Sequence, residues 1–582
     1  MQRVSHSEKR LNFAGAELIR NGVELVIKLT YSASYGMGEK YDCLNHKGKK
    51  VVNEVEEKFC FQGEKTYCPA PFFFTDSGFG LFVDTTETTA FDFCEDKIIV
   101  SLPEKADIVL FEGTPKEIIS EYMALGGKAV MPPEWAFGVW ASANRWNKQS
   151  DIEELLDKME KYDLRSDIIV VEAWSDEATF YIFNGAKYTP LADGKALKYD
   201  DFDFSGSQWP DPKGMVEKIH RAGAHLVLWQ IPVYKKQGSD EVQNAQNELD
   251  REDAAKRGLC VKLSSGDPYT IPDGHWFSGS MIPDFTNPET KKTWFNKRKY
   301  LLDIGIDGFK TDGGEFIYRE DVSFSDGTDG RQGKNRYALT YTKSYTEFIG
   351  NERVLFSRAG FAPQHSVPIH WGGDQQSQNC ELKSVLTAGL SASLSGMIFW
   401  GFDIAGFAGP LPTPDLYRRA MALGCFSPIM QWHSEPDGGQ FRELMEGAEG
   451  NNERSPWNMA EAYNCPELME EMRKLYEVRT GLRPYLVRTA KACVERNMPM
   501  MRPLIYDWHT DEKAAKCEDE FMLGDALLVA PILEENAASR DVYLPAGEWS
   551  GYFDGKVYNG GQTITSAESP IPVFVRAGYE NQ

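Results

Sequence analysis

The sequence predicts an α/β protein: a (β/α)8 barrel of the TIM type, preceded by an N-terminal β-sandwich and followed by a small C-terminal β-domain. Residues 1–125 contain short apolar runs bounded by turn residues and almost no helical periodicity. From residue 132 short apolar runs alternate with amphipathic helices, and after residue 500 the strand pattern returns. The predicted domains are 1–128, 129–498 and 499–582.

The barrel prediction comes from counting the apolar runs of the central segment. Eight runs begin near residues 137, 167, 225, 308, 354, 368, 397 and 428, with helical segments between most of them. The first helix is expected after residue 149, with Ser150 or Asp151 as its N-cap. A doubly wound open sheet would need a glycine-rich phosphate loop after an early strand, and the sequence has none. The connections 174–211 and 233–285 are long enough to predict functional loops.

Composition narrows the function classes. The 582 residues include 63 Lys and Arg against 87 Asp and Glu, a net charge of −24. Such a surface argues against binding nucleic acid or an anionic membrane. We expect no membrane span and no signal peptide, because long apolar runs and an apolar leader are missing. The ten cysteines are scattered without C-x-x-C, and H-E-x-x-H does not occur, so no metal site is predicted and a reducing cytoplasm is expected.

Barrels place their chemistry at the carboxyl ends of their strands. In this sequence those ends combine acidic, indole and basic side chains, namely Trp140, Glu172, Trp229, Asp312, Arg358, Asp374, Asp403 and His433. Carboxylates bind hydroxyl groups, indoles stack on the C–H face of a pyranose, and a carboxylate pair cleaves glycosidic bonds. Any one of these acids could equally well cap the helix that follows it. The prediction of a sugar site therefore rests on the eight residues taken together.

Two motifs carry a resemblance. Asp307-Gly-Phe-Lys-Thr-Asp-Gly-Gly-Glu315, followed by His370-Trp-Gly-Gly-Asp374, is similar to glycoside hydrolase family 31. Further similar stretches occur in order along nearly the whole chain: Tyr35-Gly-Met-Gly-Glu-Lys40, Met131-Pro-Pro-Glu-Trp-Ala-Phe-Gly138, Asp284-Phe-Thr-Asn-Pro288, Phe399-Trp-Gly-Phe-Asp-Ile-Ala-Gly-Phe407 and Met522-Leu-Gly-Asp-Ala-Leu-Leu-Val-Ala-Pro531. The resemblance implies a retaining, exo-acting α-glycosidase that needs no cofactor.

The resemblance also implies roles for individual residues. Asp312 matches the nucleophile and Asp374 the general acid/base. We expect Lys310 to favour the ionised nucleophile, and burial under Trp371 together with repulsion from Asp312 to raise the pKa of Asp374. Glu315 is expected to orient Lys310 or Arg358. The full set of predicted sugar-contacting residues is Glu172, Trp229, Lys310, Arg358, Trp371, Trp400, Asp403 and His433, with Trp229 and Trp400 as aromatic walls.

Two departures leave the sugar open. Lys310-Thr-Asp-Gly-Gly-Glu315 is closer to the K-T-D style of α-xylosidases than to the W-x-D-M-N-E of many α-glucosidases of the family. Glu172 stands where the family usually has an aspartate that binds the 4-hydroxyl, and one added methylene moves that carboxylate by more than about 1 Å. Asp176 or Glu177 is the alternative for this contact.

The leading hypothesis is an α-glucosidase acting on short α-linked oligosaccharides. The alternatives are an α-xylosidase or α-galactosidase with the same mechanism, a transglycosylase, and a non-hydrolytic sugar-binding protein. A homo-oligomer is also left open. Aromatic side chains of the long loops either form a sugar platform or pack the loops onto the barrel; they are Trp174, Phe180, Tyr181, Trp209, Trp276 and Phe277.

Overall fold

The computed structural model describes residues 1–361, 363, 367–435, 451–567 and 570–579. Its N-terminal part is the expected sandwich of two antiparallel sheets, which enclose a core that includes Phe73, Leu81 and Ile98. One sheet has the order Gln2–Val4, Asp107–Glu112, Phe79–Asp84, Pro69–Thr75, Ser34–Gly38, and the other Arg10–Phe13, Ala16–Asn21, Glu24–Lys28, Lys97–Ser101, Thr89–Phe93, Lys50–Asn53. The helix Pro115–Leu125 follows and starts with a capping box.

The central part confirms the predicted barrel, with every strand within two residues of its expected start. In chain order the barrel strands are Val139–Ser142, Ile168–Val171, His225–Gln230, Gly308–Thr311, Val354–Ser357, Ile369–Trp371, Phe399–Gly401 and Met430–Trp432. All pairings between them are parallel. The ring closes through a break in the seventh strand, because Phe399–Gly401 pairs with the sixth strand while Asp403–Ile404 pairs with the eighth.

Helices surround this barrel. They are Gln149–Tyr162, Pro212–Arg221, Ala245–Arg257, Pro288–Asp303, Gly330–Ile349, Asn379–Leu394, Pro414–Cys425, Pro456–Ala462 and Glu467–Arg496, with 3-10 turns at Glu134–Phe137 and Tyr199–Asp201 and a small hairpin of Lys262–Leu263 with Val322–Ser323. The N-cap expectation was wrong, because the first of these helices starts after Lys148 without a side-chain cap. The connection 233–285 is not structureless either, since Asn244 and left-handed Gly258 cap a helix within it.

The helix Glu467–Arg496 was not predicted, and it closes the amino-terminal end of the barrel. Its Arg479 is buried and donates hydrogen bonds to the carbonyls of Phe137, Cys425, Ser427 and Pro428, which lie just before the first and eighth strands. One guanidinium therefore satisfies backbone acceptors that would otherwise be buried without partners.

The C-terminal part is a β-domain, as predicted. One antiparallel sheet has the order Met501–Pro503, Phe521–Leu523, Leu527–Val529, Val573–Arg576, Glu548–Gly551, Val557–Asn559; a second pairs Arg540–Leu544 with Gln562–Ser566; and short helices occupy Leu504–Asp507 and Glu512–Ala515. Within the described ranges, no helix combines the length and apolar composition needed to cross a bilayer.

Candidate active site

Asp312 follows the fourth barrel strand directly, and three donors surround its carboxylate. Nη1 of Arg358 lies 3.1 Å from Oδ1, the indole nitrogen of Trp229 donates to Oδ2 at 3.0 Å, and the backbone N–H of Gly313 donates to Oδ1 at 2.8 Å. The hydroxyl of Tyr341 holds the backbone carbonyl of Asp312. Donors on both oxygens stabilise and orient a carboxylate, as a nucleophile at an anomeric carbon requires.

Asp374 follows the sixth strand and shares Arg358 with Asp312. Its Oδ2 lies 3.8 Å from the guanidinium nitrogen that contacts Asp312. Asp312 Oδ1 and Asp374 Oδ2 both contact this nitrogen, so they are less than about 7 Å apart. This limit is compatible with the ~5–5.5 Å that separates the carboxyls of a retaining pair. Burial raises the pKa of Asp374 well above its usual value; Arg358 opposes this shift and Asp312 adds to it. A raised pKa suits a group that must first donate a proton.

Arg358 connects the two acids to a third. Its Nε and Nη2 donate to both oxygens of Glu315, at 3.2 and 3.1 Å, and Glu315 is completely buried. Of the two partners that the sequence left open for Glu315, the structure therefore selects Arg358. The guanidinium also stacks against Tyr67, at 4.7 Å from the ring centroid. This bidentate, stacked geometry fixes the cation between the two aspartates.

A second charged group lies across the barrel. Glu172, after the second strand, is bonded to Lys310 Nζ at 2.6 Å and lies 3.1 Å from Nε2 of His433. Burial favours the neutral acid, but His433 and Lys310 outweigh it and lower the pKa of Glu172 to about 2. The hydroxyl of Ser142 holds the other ring nitrogen of His433 at 2.7 Å.

Asp403 lies beside this charged group. Gln431 donates to its Oδ1 at 2.7 Å, while its Oδ2 is buried and has no hydrogen-bond partner among the residues that the structure describes. An unpaired buried carboxylate oxygen is costly unless a ligand or water completes it. Oxygen-rich side chains and a fixed cation at this end of the barrel match the hydroxyl pattern of a sugar.

The structure corrects one expectation about the aromatic residues. Trp400 does not form an aromatic wall, because its ring packs outward against Gly389 of a barrel helix and its indole nitrogen donates to Glu39 of the sandwich at 2.7 Å. Lys310 is ion-paired with Glu172. Burial opposes its charge, but Glu172, Asp403 and Asp312 together raise the pKa of Lys310, so its ammonium favours an ionised Asp312 as expected, while Arg358 is the cation in direct contact with Asp312. Trp371 lies against Lys310, with Nζ 4.5 Å from its ring centroid, and so belongs to the site's floor.

The loop aromatics divide into two sets. Those that pack the loops onto the barrel are almost fully buried, namely Trp174, Phe180, Tyr181 and Trp209. Trp276 and Phe277 are partly exposed, and the Trp276 ring lies 5.4 Å from the Arg358 guanidinium and 6.4 Å from the Trp229 ring. Asp176 is bound to Thr179 of its own loop and to Asn244 of the 233–285 connection, so its carboxylate is already engaged, whereas Glu172 lies among the charged groups of the site.

Sequence reasoning missed the contribution of the sandwich. Gln62 donates to the hydroxyl of Tyr67 at 2.8 Å and to the backbone carbonyl of Asp374 at 3.1 Å. The Tyr67 ring also fills the space beside Gly373, where a Cβ would come within 2.1 Å of it. The contacts with Gly373 and Asp374 join segments about 300 residues apart, and no local pattern signals them.

Family models match most of the chain. The glycosyl hydrolases family 31 TIM-barrel domain matches residues 129–489, the family's C-terminal domain matches 497–579, and its N-terminal galactose mutarotase-like domain matches 21–92.

Individual proteins agree with these matches. An isomaltosyltransferase of Sporosarcina globispora is 35% identical over 94% of this chain and 50% of its own, and a 1,3-alpha-isomaltosidase of Kribbella flavida is 34% identical over 93% and 75%. The cycloalternan-forming enzyme of Listeria monocytogenes, solved with a pentasaccharide substrate, superimposes with a TM-score of 0.91 at 36% identity over 97% of this chain and 54% of its own. The chain spans about half the length of the first and third of these proteins. It belongs to glycoside hydrolase family 31.

Proposed function

We propose that this glycoside hydrolase is an exo-acting, retaining α-glycosidase that works by double displacement on short α-glucosidic oligosaccharides. The observation that carries the proposal is the single Arg358 nitrogen in contact with two carboxyls, one held by donors on both oxygens and one with a strongly raised pKa. This is the division of labour that a retaining mechanism needs.

The proposed chemistry has two steps. Asp312 attacks the anomeric carbon while Asp374 gives its proton to the glycosidic oxygen, so the aglycone leaves as an alcohol and a β-linked glycosyl ester forms on Asp312. In the second step Asp374, now a carboxylate, takes a proton from water or from an acceptor hydroxyl. The activated oxygen attacks the anomeric carbon, Asp312 leaves as a carboxylate, and the product has the α configuration.

The donor is the finer part of the proposal. Glucose is the leading candidate for the transferred sugar. The names of the relatives support a donor that transfers an isomaltosyl group, in which this glucose carries a second glucose. They also support transfer to an acceptor sugar as a second outcome of the same intermediate. An α-xylosidase is a further candidate, since one such enzyme from Lactiplantibacillus pentosus is 29% identical. The α-galactoside alternative has no support among the proteins described above.

The test follows the anomer by NMR. 4-Nitrophenyl α-glucoside, α-isomaltoside, α-xyloside and α-galactoside are incubated with the wild type and with Asp312→Ala. We expect the α-anomer to appear first, activity on a glucosyl or isomaltosyl donor, and loss of that activity in Asp312→Ala. First release of the β-anomer would exclude the retaining mechanism. Sugar binding without turnover would favour a binding protein, and new oligosaccharides in place of free sugar would favour a transglycosylase.

A cytoplasmic location remains part of the proposal. All ten cysteines are free thiols, which supports a reducing compartment.

A further inference from the structure

Two residues continue the site outward beyond the Ser142–His433 hydrogen bond. Asn144 follows the first barrel strand and Glu435 follows the eighth, and Nδ2 of Asn144 donates to Oε2 of Glu435 at 3.2 Å. The backbone N–H of Asn144 also bonds to the carbonyl of Ser434 at 3.0 Å, so the strand pairing continues past the barrel rim. Two residues along a strand correspond to about 6.6 Å. The pair therefore stands one layer further from the barrel core than His433.

The order of the strands fixes which end of a bound sugar faces this layer. Asp312 and Asp374 follow the fourth and sixth strands, so the anomeric carbon must lie on their side of the barrel. Glu172 and His433 follow the second and eighth strands, on the opposite side. A pyranose whose C1 is held between the aspartates therefore directs C4 and C6 towards the eighth, first and second strands. A substituent carried at that end of the ring, such as one on O6, would leave it in the sector of the barrel mouth that holds Asn144 and Glu435.

One carboxyl oxygen of Glu435 is buried without a hydrogen-bond partner among the described residues. The residue is 1% exposed, and the unpaired oxygen is Oε1. Buried polar oxygens are normally paired, so a free one next to a binding site indicates a ligand group. Burial, with the charge of nearby Glu172, raises the pKa of Glu435 to about 8. At neutral pH this carboxyl is mostly protonated, which lets it both donate to and accept from a sugar hydroxyl.

We propose that Glu435 and Asn144 form a donor subsite for a second glucosyl residue, α-1,6-linked to the sugar that occupies the catalytic subsite. The inference rests on the proposed function and deepens it, because it makes an isomaltosyl group rather than a single glucosyl group the preferred donor. The subsite accepts the second ring through hydroxyl hydrogen bonds, while O6 of the first ring passes over His433.

The experiment compares kcat/KM for 4-nitrophenyl α-isomaltoside and 4-nitrophenyl α-glucoside in the full chain. The wild type should prefer the isomaltoside. In Glu435→Ala the isomaltoside-to-glucoside ratio should fall about tenfold or more, as expected when a buried hydrogen-bonding group is lost. Glu435→Gln keeps the size and a donor and should lower the ratio by about threefold. Asn144→Ala is a second, independent variant, and exposed Glu461→Gln is the matched control that should leave the ratio unchanged.

The outcomes separate the two levels of the argument. A wild type that cleaves the glucoside with retention but does not prefer the isomaltoside overturns the subsite and leaves the proposed function standing. A preference that survives in both Glu435→Ala and Asn144→Ala also overturns the subsite. Equal losses on both donors overturn it as well, because they would show that Glu435 only supports Glu172. A wild type inactive on both donors defeats the proposed function itself.

Discussion

The buried ion pair of Glu172 and Lys310 allows a worked prediction. Glu172→Gln keeps the size of the side chain but removes its charge, which leaves the Lys310 ammonium buried without the partner that lies 2.6 Å away. Removing one member of a buried pair destabilises a fold more than the pair stabilised it, because the remaining charge cannot return to water. The variant should therefore be folded but clearly less stable.

The magnitude follows from the pKa of Glu172. Burial favours the neutral form, yet His433 and Lys310 lower the pKa from 4.5 to about 2. By linkage this difference corresponds to about 3 kcal/mol of the free energy of unfolding at pH 7. Since the folded-state pKa is depressed, the contribution is fully present above pH 4.5 and is lost as the pH falls towards 2. We expect Glu172→Gln to lose about 3 kcal/mol at neutral pH.

Equilibrium urea unfolding at pH 7, followed by tryptophan fluorescence, measures the loss. The matched control is Glu154→Gln, because the Glu154–Lys158 pair has nearly the same distance, 2.7 Å, but is exposed on a helix; it should cost less than about 0.5 kcal/mol. The double variant Glu172→Gln/Lys310→Met should be more stable than the sum of the two single losses predicts. Glu172→Gln within 0.5 kcal/mol of wild type, or strictly additive losses, would refute the reasoning.

Three further predictions concern the catalytic carboxyls and their surroundings. Asp374→Ala should slow cleavage of natural oligosaccharides by about 10²–10⁴ but 2,4-dinitrophenyl α-glucoside much less, with azide restoring turnover as the α-glucosyl azide; equal losses on both substrates would contradict the assignment. The wild-type pH profile of kcat/KM should keep a basic limb well above pH 3.8, since burial raises the pKa of Asp374, and this limb should vanish in Asp374→Ala. Gly373→Ala should lower kcat at least about tenfold, because its φ is +64° and the added Cβ overlaps Tyr67; Tyr67→Ala should restore part of the loss, and a Gly373→Ala enzyme with wild-type kcat would show that the loop tolerates displacement.

Sequence predicted the barrel and most of the residues at its mouth for one physical reason. A closed parallel barrel brings the carboxyl ends of all its strands to one face, so locating the strands also locates the side chains that follow them. Asp312, Glu172 and His433 come directly after their strands, and Asp374 follows its strand after two glycines, so all four lie at the same face of the barrel. The geometry required no knowledge of the loops.

The failures have equally definite causes. Trp400 points outward because strand side chains alternate, and the seventh strand ends one residue later, at Gly401. Lys310 of the fourth strand is ion-paired with Glu172, which follows the second strand. The sequence does not show which of several nearby acids forms the ion pair with a buried lysine. The helix Glu467–Arg496 was not predicted; it contains Pro484, and a proline normally argues against a helix interior.

The position of the sandwich in the structure explains why it accompanies the barrel. Its Tyr41 hydroxyl holds the carbonyl of Gly372 at 2.8 Å, and Gln62 holds that of Asp374 at 3.1 Å. Asp374 therefore lies on a short glycine-containing loop whose backbone carbonyls are held by side chains from outside the barrel. Asp312, in contrast, is fixed within the barrel, through Trp229, Arg358 and its own strand. A retaining pair must keep its spacing to within a fraction of an ångström. In this protein that spacing depends on the packing of the sandwich against the barrel.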